Sequence, residues 1–240
     1  MVYMYKEAYE NRVVYHELIF PHFPEGFGKI QIFFISDIHK RIIDDSIVTE
    51  VKGKADMVII GGDLLEKGVS LSKVKTNLMK LKEIGPVFFV WGNNDYEIDY
   101  HLLDAVLLEH GVKILDNTAA VFESEENERF VLLGIDDISQ ERDRLDLALL
   151  DAGSDSFKVL VSHNPKVMNQ IQEEQHISLV LCGHTHGGQI HIFGFSPFKK
   201  GGIEKIENTL LFISNGYGTT KLPLRLGAKA ETHLISLRKK

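Results

Sequence analysis

The chain has 240 residues, enough to bury a hydrophobic core without covalent cross-links. Hydrophobic residues make up 44% and charged residues 25%, values that exclude a disordered or collagen-like chain. The 27 basic and 34 acidic side chains give a net charge of −7, which argues against binding to an extended nucleic acid.

The N-terminal segment and the cysteine content both favour an intracellular protein. Charged residues interrupt the first ten positions before an apolar stretch reaches the length of a signal-peptide core. The single cysteine, Cys182, cannot form an internal disulfide, and no window holds the roughly 18 apolar residues that span a bilayer. We expect a cytoplasmic protein that is soluble or in peripheral contact with a membrane, and its oligomeric state is left open.

Short apolar runs alternate with helical patterns along the chain. Runs at 30–36, 57–60, 87–91, 159–162 and 179–182 are almost wholly apolar, as strands buried on both faces are. Apolar residues recurring every three or four positions predict helices over 71–84, before Gly85 and Pro86, and over 102–107. The charged stretch 123–129 predicts the tip of a hairpin between 119–122 and 130–133.

This alternation predicts a layered α/β architecture in one domain over residues 1–240, because neither a repeat nor a linker divides the chain. After about Gln189 the pattern changes to short strands, at 210–214 and 233–237, separated by glycine-rich turns. We therefore expect a second, more antiparallel sheet in the last part of the chain.

Each of the five apolar runs ends in polar residues of a kind that binds metals. They are Asp37 and His39, Asp63, Asn93, His163, and His184 with His186. The carboxyl ends of strands in open α/β sheets meet at one edge, so we expect these side chains to converge. Within the Asp-x-His and His-x-His pairs, a spacing of two places both side chains on the same side of an extended chain.

The set contains carboxylates, imidazoles and one amide, but no thiolate. Such mixed nitrogen and oxygen donors suit Mn, Fe, Zn or Co. Seven donors are too many for one tetrahedral ion, whereas two ions sharing a bridging carboxylate would use them all. A site with two metal ions is a standard arrangement for attack on phosphorus.

In chain order, the motifs Asp-x-His, Gly-Asp, Gly-Asn-x-Asp, His and Gly-His-x-His-Gly-Gly resemble those of the calcineurin-like metallophosphoesterase superfamily. The resemblance covers residues 13–237, and 214–218 with 222–225 is similar to the bacterial branch that includes the YkuE and YaeI phosphoesterases. It implies a four-layer αββα sandwich of two mixed sheets. It also implies a binuclear-metal-dependent phosphoesterase that cleaves a phosphodiester or pyrophosphate bond by in-line attack of a metal-bridging hydroxide.

The same resemblance implies which residues bind which ion. The first metal would be held by Asp37, His39, Asp63 and His186, and the second by Asp63, Asn93, His163 and His184, with Asp63 bridging. We expect two divalent ions, with manganese favoured, and a small phosphorylated substrate. The alternative is a non-catalytic metal-binding scaffold on the same fold, although a degenerate scaffold tends to lose ligands and this chain keeps all seven.

One position departs from the family's pattern. Many members carry a histidine where this chain has Asn94, and that histidine is thought to help the leaving group or the transition state. Asparagine donates hydrogen bonds but transfers no proton at neutral pH. Either the substrate has a good leaving group, or another catalytic group such as His191 or Asp95 supplies the proton. We expect phosphodiesters or pyrophosphates with good leaving groups to be preferred over alkyl monoesters.

Several further residues are candidates for contacts outside the metal ligands. Asn94 and Arg225 are candidates for substrate binding, the alternative for Arg225 being an ordinary surface residue. A loop cap or a salt bridge is expected for Asp136 and Asp137. The segment 193–200 combines three phenylalanines with two lysines, and its candidate contacts are a nucleobase, a lipid headgroup region or the edge of the second sheet.

Overall fold

The computed structural model describes residues 1–153 and 156–240. Its strands are β1 (Val13–Ile19), β2 (Lys29–Ile35), β3 (Met57–Gly61), β4 (Val87–Val90), β5 (Lys113–Ile114), β6 (Thr118–Glu123), β7 (Arg129–Gly134), β8 (Phe157–Val161), β9 (Ile177–Cys182), β10 (Gly202–Ile206), β11 (Thr209–Ile213) and β12 (Thr232–Arg238). Its α-helices are α1 (Val2–Ala8), α2 (Asp45–Val51), α3 (Leu71–Lys82), α4 (Tyr100–Glu109) and α5 (Leu145–Leu150). None of the described helices is long and apolar enough to cross a membrane.

The strands form two six-stranded sheets. The first has the order β1-β12-β2-β3-β4-β5, and the second has the order β10-β11-β9-β8-β7-β6. Neighbours from β2 to β5 are parallel, as are β7, β8, β9 and β11. Antiparallel pairs form where β12 meets β2, β6 meets β7 and β10 meets β11, so both sheets are mixed.

Successive residues of the central strands face opposite layers, as the two-residue period of a strand requires. In β2, Phe33 and Ile35 pack in the core that contains helix residues such as Leu78 of α3. Ile32 and Phe34 face the other way, into the core between the sheets. Both faces of the strand are buried over residues 32–35, which explains why this part of its sequence is apolar without alternation.

A third core lies on the outer face of the second sheet, where Leu145 and Ala148 of α5 pack against Val131 and Leu160. The layers are therefore helices α2 to α4, the first sheet, the second sheet and α5. The predicted αββα sandwich of two mixed sheets is confirmed.

The predicted helices correspond to α3 and α4, and the predicted hairpin to β6 and β7. The expectation of a separate, more antiparallel sheet after Gln189 is wrong. Strand β11 lies parallel to β9 in the second sheet, whereas β12 lies between β1 and β2 in the first. An apolar run indicates a strand but not its partners, because pairing depends on residues distant in the sequence. The sequence patterns do not predict helices α1, α2 and α5 or strands β1, β5 and β10.

Candidate metal centre

The predicted metal ligands lie just beyond strand ends at which the two sheets meet. Asp37 and His39 follow β2, Asp63 follows β3, Asn93 follows β4, His163 follows β8, and His184 and His186 follow β9. Backbone hydrogen bonds join these ends: Asp37 N donates to Gly62 O at 3.0 Å, and Gly183 N donates to His163 O at 3.0 Å. We refer to the seven side chains as the ligand cluster.

Five members of the ligand cluster face one another directly. Asp63 Oδ2 lies 3.2 Å from His163 Nε2 and 3.8 Å from His39 Nε2. Asp37 Oδ1 lies 3.3 Å from His186 Nε2, which is 3.1 Å from His39 Nε2. These atoms form two overlapping groups with donor atoms within 4.8 Å of one another: Asp37 with His39 and His186, and Asp37 with Asp63 and His163.

The remaining two members lie beside the second group. His184 Nδ1 is 2.9 Å from Asn93 Oδ1, and the rings of His163 and His184 have centroids 5.0 Å apart. The structure thus brings all seven residues together. Asp37 is the residue common to the two groups. Asp63 Oδ2 lies near one histidine of each group, His39 and His163. Both carboxylates are therefore placed between the two groups, and the bridging role of Asp63 stays a prediction.

The backbone of the ligand cluster is strained. Five members have a left-handed backbone: Asp37 with φ 54°, His39 with φ 50°, Asp63 with φ 52°, His184 with φ 71° and His186 with φ 50°. Such conformations cost non-glycine residues roughly 1 to 3 kcal/mol each and persist only where the surrounding structure imposes them. Their concentration on the predicted ligands indicates that the turns are shaped to aim these side chains inward.

Contacts to the second ring nitrogen orient two of the histidines. His163 Nδ1 donates to Gly61 O at 2.8 Å, and its buried Nε2 has no hydrogen-bond partner among the described residues. His39 Nδ1 lies 3.1 Å from Glu66 Oε2. Contacts of this kind fix the ring so that its other nitrogen points at a metal. Sequence reasoning missed Glu66, whose only signal is a carboxylate three positions after Asp63.

The electrostatics of the ligand cluster favour a cation. Burial alone would raise the pKa of Asp63, but His163 and His39 outweigh it and hold that pKa well below its usual range. Burial likewise opposes a charge on His163, yet Asp63 and Asp37 raise its pKa to about 10. Burial lowers the pKa of His186 to about 3, so this ring is neutral and can donate a lone pair. The buried carboxylates therefore favour positive charge in the ligand cluster, and together with the neutral ring of His186 they fit divalent ions of the Mn, Fe, Zn or Co type.

Asp95 supports the fold of the site. It is fully buried and accepts hydrogen bonds from Gly92 N at 2.9 Å, Asp63 N at 2.9 Å and Leu65 N at 3.2 Å. Burial and the Asp63 charge raise the pKa of Asp95 to about 7. Its oxygens are directed at backbone N–H groups away from solvent, which argues against the prediction that it protonates the leaving group.

Arg225 is neither a surface residue nor a phosphate ligand. It is fully buried, and its guanidinium donates to backbone carbonyls and lies 3.4 Å from His186 Nδ1. The acceptors are the oxygens of His186, Asn215, Gly216, Gly218 and Ala228, at 2.6 to 3.2 Å. All five N–H groups of the side chain have acceptors, so none is available to a substrate. The prediction of substrate binding is wrong, and Arg225 instead joins the turn at His186 to the segment 215–228.

Asn94 and His191 are next to members of the ligand cluster or its turns. The Asn94 backbone N–H donates to Asp63 Oδ1 at 2.8 Å, and its amide contacts Asn93 at 2.9 Å and Glu97 at 2.8 Å. His191 Nε2 donates to Gly187 O at 2.7 Å. Their roles in substrate binding and catalysis stay predictions.

The two aspartates after β7 differ from each other. Asp136 forms the expected salt bridge, with Arg142 Nε at 2.6 Å, and accepts a hydrogen bond from the Tyr96 hydroxyl at 2.6 Å. Asp137 is buried, and its carboxylate oxygens have no hydrogen-bond partner among the described residues. Burial raises the pKa of Asp137, and the charge on His163 opposes this.

A groove of about 430 Å³ opens beside His184 and His186, with Phe198 and Leu222 in its walls. Gln189 joins the two walls, since its Nε2 donates to Thr220 O at 3.2 Å and to Leu222 O at 3.1 Å. The phenylalanines of segment 193–200 are exposed, so the expectation that they cover the edge of the second sheet is wrong.

Comparisons with known proteins agree with this geometry. The family model described as calcineurin-like phosphoesterase matches residues 30–188. The chain is 44% identical over 215 residues to the uncharacterized protein YpbG of Bacillus subtilis (strain 168), covering 89% of the chain and 83% of that protein. It is 26% identical over 244 residues to the phosphodiesterase YaeI of Escherichia coli (strain K12), covering 94% of the chain and 87% of that protein.

A solved structure of a 5'-nucleotidase precursor from Thermus thermophilus has a similar fold, with a TM-score of 0.57 and 13% sequence identity. The similarity covers 87% of the chain and 55% of that structure. At this level of identity the likeness concerns the fold alone.

Proposed function

Because the chain belongs to the calcineurin-like phosphoesterase family, we propose that it hydrolyses a phosphodiester or pyrophosphate bond with the help of two divalent metal ions. The observation that carries this proposal is the convergence of seven donor side chains from five strand ends, five of them on strained backbone. The name of the relative YaeI, a phosphodiesterase, supports a diester as the substrate class.

The donor set supports two ions. We assign the first ion to Asp37, His39, Asp63 and His186, and the second to Asp63, Asn93, His163 and His184. The position of Asp63 Oδ2, between His163 and His39, supports a bridging role. When bound, such a pair of ions lowers the pKa of water and offsets the charge that develops on phosphoryl oxygens. The donors are nitrogen and oxygen without thiolate, and among the ions that suit such donors we propose manganese as the working metal.

The protein's own contribution is to hold the donors in place before substrate arrives. Glu66 lies behind His39, and the Gly61 carbonyl lies behind His163. The carboxylate of Asp95 accepts the Asp63 backbone N–H and so fixes the turn that carries Asp63. Outer contacts of this kind are typically worth 10- to 100-fold in metal affinity or activity.

We further propose that the leaving group departs without a proton from a side chain. The carboxylate of Asp95 is buried against backbone N–H groups, and His191 Nε2 is engaged by Gly187 O. The amide of Asn94 transfers no proton at neutral pH. General acid help is typically worth 10²- to 10⁴-fold, so its absence slows substrates with poor leaving groups. Diesters and pyrophosphates with good leaving groups are therefore preferred over alkyl monoesters.

The competing candidate is a non-catalytic metal-binding scaffold on the same fold. The residue that favours it is Asn94, and the presence of the complete ligand cluster favours the enzyme. For its cellular site we propose the cytoplasm, in keeping with a lone cysteine that is buried and unpaired.

Metal analysis combined with hydrolysis of bis-p-nitrophenyl phosphate tests the proposal. We expect about two metal ions per chain in the manganese-loaded protein, and a loss of about 10³-fold or more in kcat for Asp63→Ala. Asp146→Ala is the matched control, since this aspartate is exposed and paired only with Arg144 among the described residues. Activity that survives Asp63→Ala would contradict the proposal, and stoichiometric metal without any hydrolysis would support the scaffold.

A further inference from the structure

Residues 192–198 place large apolar side chains in solvent next to the groove. Phe193 is 97% exposed and Phe195 is 82% exposed, with Ile192 and Phe198 exposed beside them. Leu222 is exposed on the opposite wall of the groove. Contiguous exposed apolar patches are uncommon on soluble proteins and mark binding surfaces. We call residues 192–198 together with Leu222 the aromatic rim.

The tip of the aromatic rim is an ordered hairpin. Ile192 N donates to Phe195 O at 3.0 Å, and Phe195 N donates to Ile192 O at 2.9 Å. Phe193 has φ 50° and Gly194 has φ 84°, the pattern of a primed two-residue turn. A left-handed backbone is unfavourable for a bulky residue, so the turn presents Phe193 at its apex at a conformational cost. The aromatic tip is thus formed before any partner binds.

Basic residues flank the aromatic rim. Lys199 and Lys200 follow it directly, and Lys221 precedes Leu222 on the opposite wall. Between positions 175 and 230 the only acidic residues are Glu204 and Glu207, in a chain whose net charge is −7. An anionic surface would attract the lysines beside the aromatic rim more than the rest of the chain, which favours one orientation of approach.

We propose that the aromatic rim docks the protein on the surface of an anionic lipid bilayer. Phe193 and Phe195 enter the interfacial layer, where aromatic side chains are favoured, and the flanking lysines pair with lipid headgroups. The groove leads from the aromatic rim to His184 and His186, so docking places the metal centre against phosphate groups carried by lipids. Docking needs neither bound metal nor turnover, and it stands or fails independently of the hydrolysis proposed above.

Flotation of the manganese-loaded protein with vesicles tests this inference. Vesicles of phosphatidylcholine alone are compared with vesicles containing about one third phosphatidylglycerol. We expect binding to the anionic vesicles, lowered at least about 100-fold by Phe193→Ser/Phe195→Ser, since burial of each phenylalanine contributes about tenfold or more. Lys199→Glu/Lys200→Glu should lower binding about tenfold or more at low salt, and less at high salt.

The matched control is Leu150→Ser. Leu150 is 79% exposed, and it ends α5, which contacts β6 and β7 at the far edge of the second sheet from β10. We expect this variant to bind vesicles as the unaltered chain does. The inference is overturned if the unaltered chain does not bind anionic vesicles, or if the phenylalanine variant binds equally well. The inference is also overturned if the unaltered chain forms a dimer and does not bind vesicles, while the phenylalanine variant is monomeric. That result would assign the aromatic rim to self-association.

Hydrolysis of bis-p-nitrophenyl phosphate is measured on the same preparation of the unaltered chain. Vesicle binding without hydrolysis would contradict the proposed function and leave the docking surface supported. Hydrolysis without vesicle binding would support the proposed function and contradict the docking surface.

Discussion

The ligand cluster and the aromatic rim lie side by side but are built in opposite ways. Side chains of the ligand cluster stand at strand ends, and backbone bonds between neighbouring strands set their positions. Residues 192–198 of the aromatic rim belong to a segment between β9 and β10, and Leu222 lies between β11 and β12; their large apolar side chains are exposed to solvent. The positions of the ligand cluster depend on the pairing of distant strands, whereas the tip of the aromatic rim depends on the backbone hydrogen bonds between Ile192 and Phe195.

This difference teaches where each part of the function resides. Chemistry that needs donor atoms placed within a few tenths of an ångström is assigned to the rigid sheet edges. Recognition of a surface or substrate is assigned to a loop, which can change without disturbing the fold. Substitutions in the ligand cluster should therefore alter activity by orders of magnitude, and substitutions near the aromatic rim should alter hydrolysis of a soluble substrate only slightly.

The largest effect is expected for Asp37→Asn, which keeps the shape of the side chain but removes its charge. We expect kcat for bis-p-nitrophenyl phosphate to fall about 10³-fold or more, with a matching loss of bound metal. Ser36→Ala is the control, because Ser36 Oγ donates to Asp37 Oδ2 at 2.5 Å and orients it without being a predicted ligand. We expect kcat of Ser36→Ala to fall by no more than about 100-fold. Equal losses in the two variants would contradict the role of Asp37 as a metal ligand that Ser36 only orients.

The next effect is on stability, at Arg225. Replacing it by methionine leaves the backbone carbonyls that it joins without a donor, and we expect the free energy of unfolding to fall by about 3 kcal/mol. Urea denaturation of metal-free protein measures this, since bound metal would add its own stabilisation. Arg225→Lys should recover part of the loss. A change below about 1 kcal/mol for methionine would contradict the role assigned to this residue.

A smaller and more specific effect is expected at Asn94, which contacts Asn93 and Asp63 of the ligand cluster. Asn94→His should raise kcat for an alkyl phosphodiester about 10- to 100-fold, because the imidazole supplies a proton to a poor leaving group. The rate for bis-p-nitrophenyl phosphate should change little, since p-nitrophenolate leaves unaided. Asn94→Ala separates this gain from the loss of the asparagine's own contacts. An equal change for both substrates would argue against leaving-group control.

The smallest effect is expected at His191, on the side of the aromatic rim. We expect His191→Asn to keep kcat within about threefold for aryl and alkyl diesters, because its Nε2 is bonded to Gly187 O. Steady-state kinetics on both substrates measure this. A loss of about 100-fold confined to the alkyl diester would instead identify His191 as the proton donor.

Much of the ligand cluster is predictable from sequence, because each ligand lies close in sequence to the strand that positions it. An apolar run locates a strand, and a polar residue directly after it must stand at the strand's carboxyl end. Asp37, His163 and His186 could therefore be placed near one another before any coordinates were known. The resemblance to the family implies which ligands bind which ion, an assignment that spacing alone leaves open.

The residues that sequence reasoning missed or misplaced depend on contacts between distant segments. Nothing near Arg225 in the sequence indicates that its guanidinium is surrounded by carbonyls from 186 and 215–228. The sequence position of Asp95 suggests a catalytic acid, whereas in the structure its carboxylate accepts hydrogen bonds from three backbone N–H groups. The position of β12 between β1 and β2 is equally a matter of long-range pairing, which strand patterns do not encode.

Anomalous diffraction from crystals of the manganese-loaded protein tests the central claim most directly. Two peaks about 3.5 to 4 Å apart are expected, one within bonding distance of His39 and His186 and the other within bonding distance of His163 and His184. A single peak, or peaks that avoid these histidines, would contradict a two-metal centre formed by the ligand cluster.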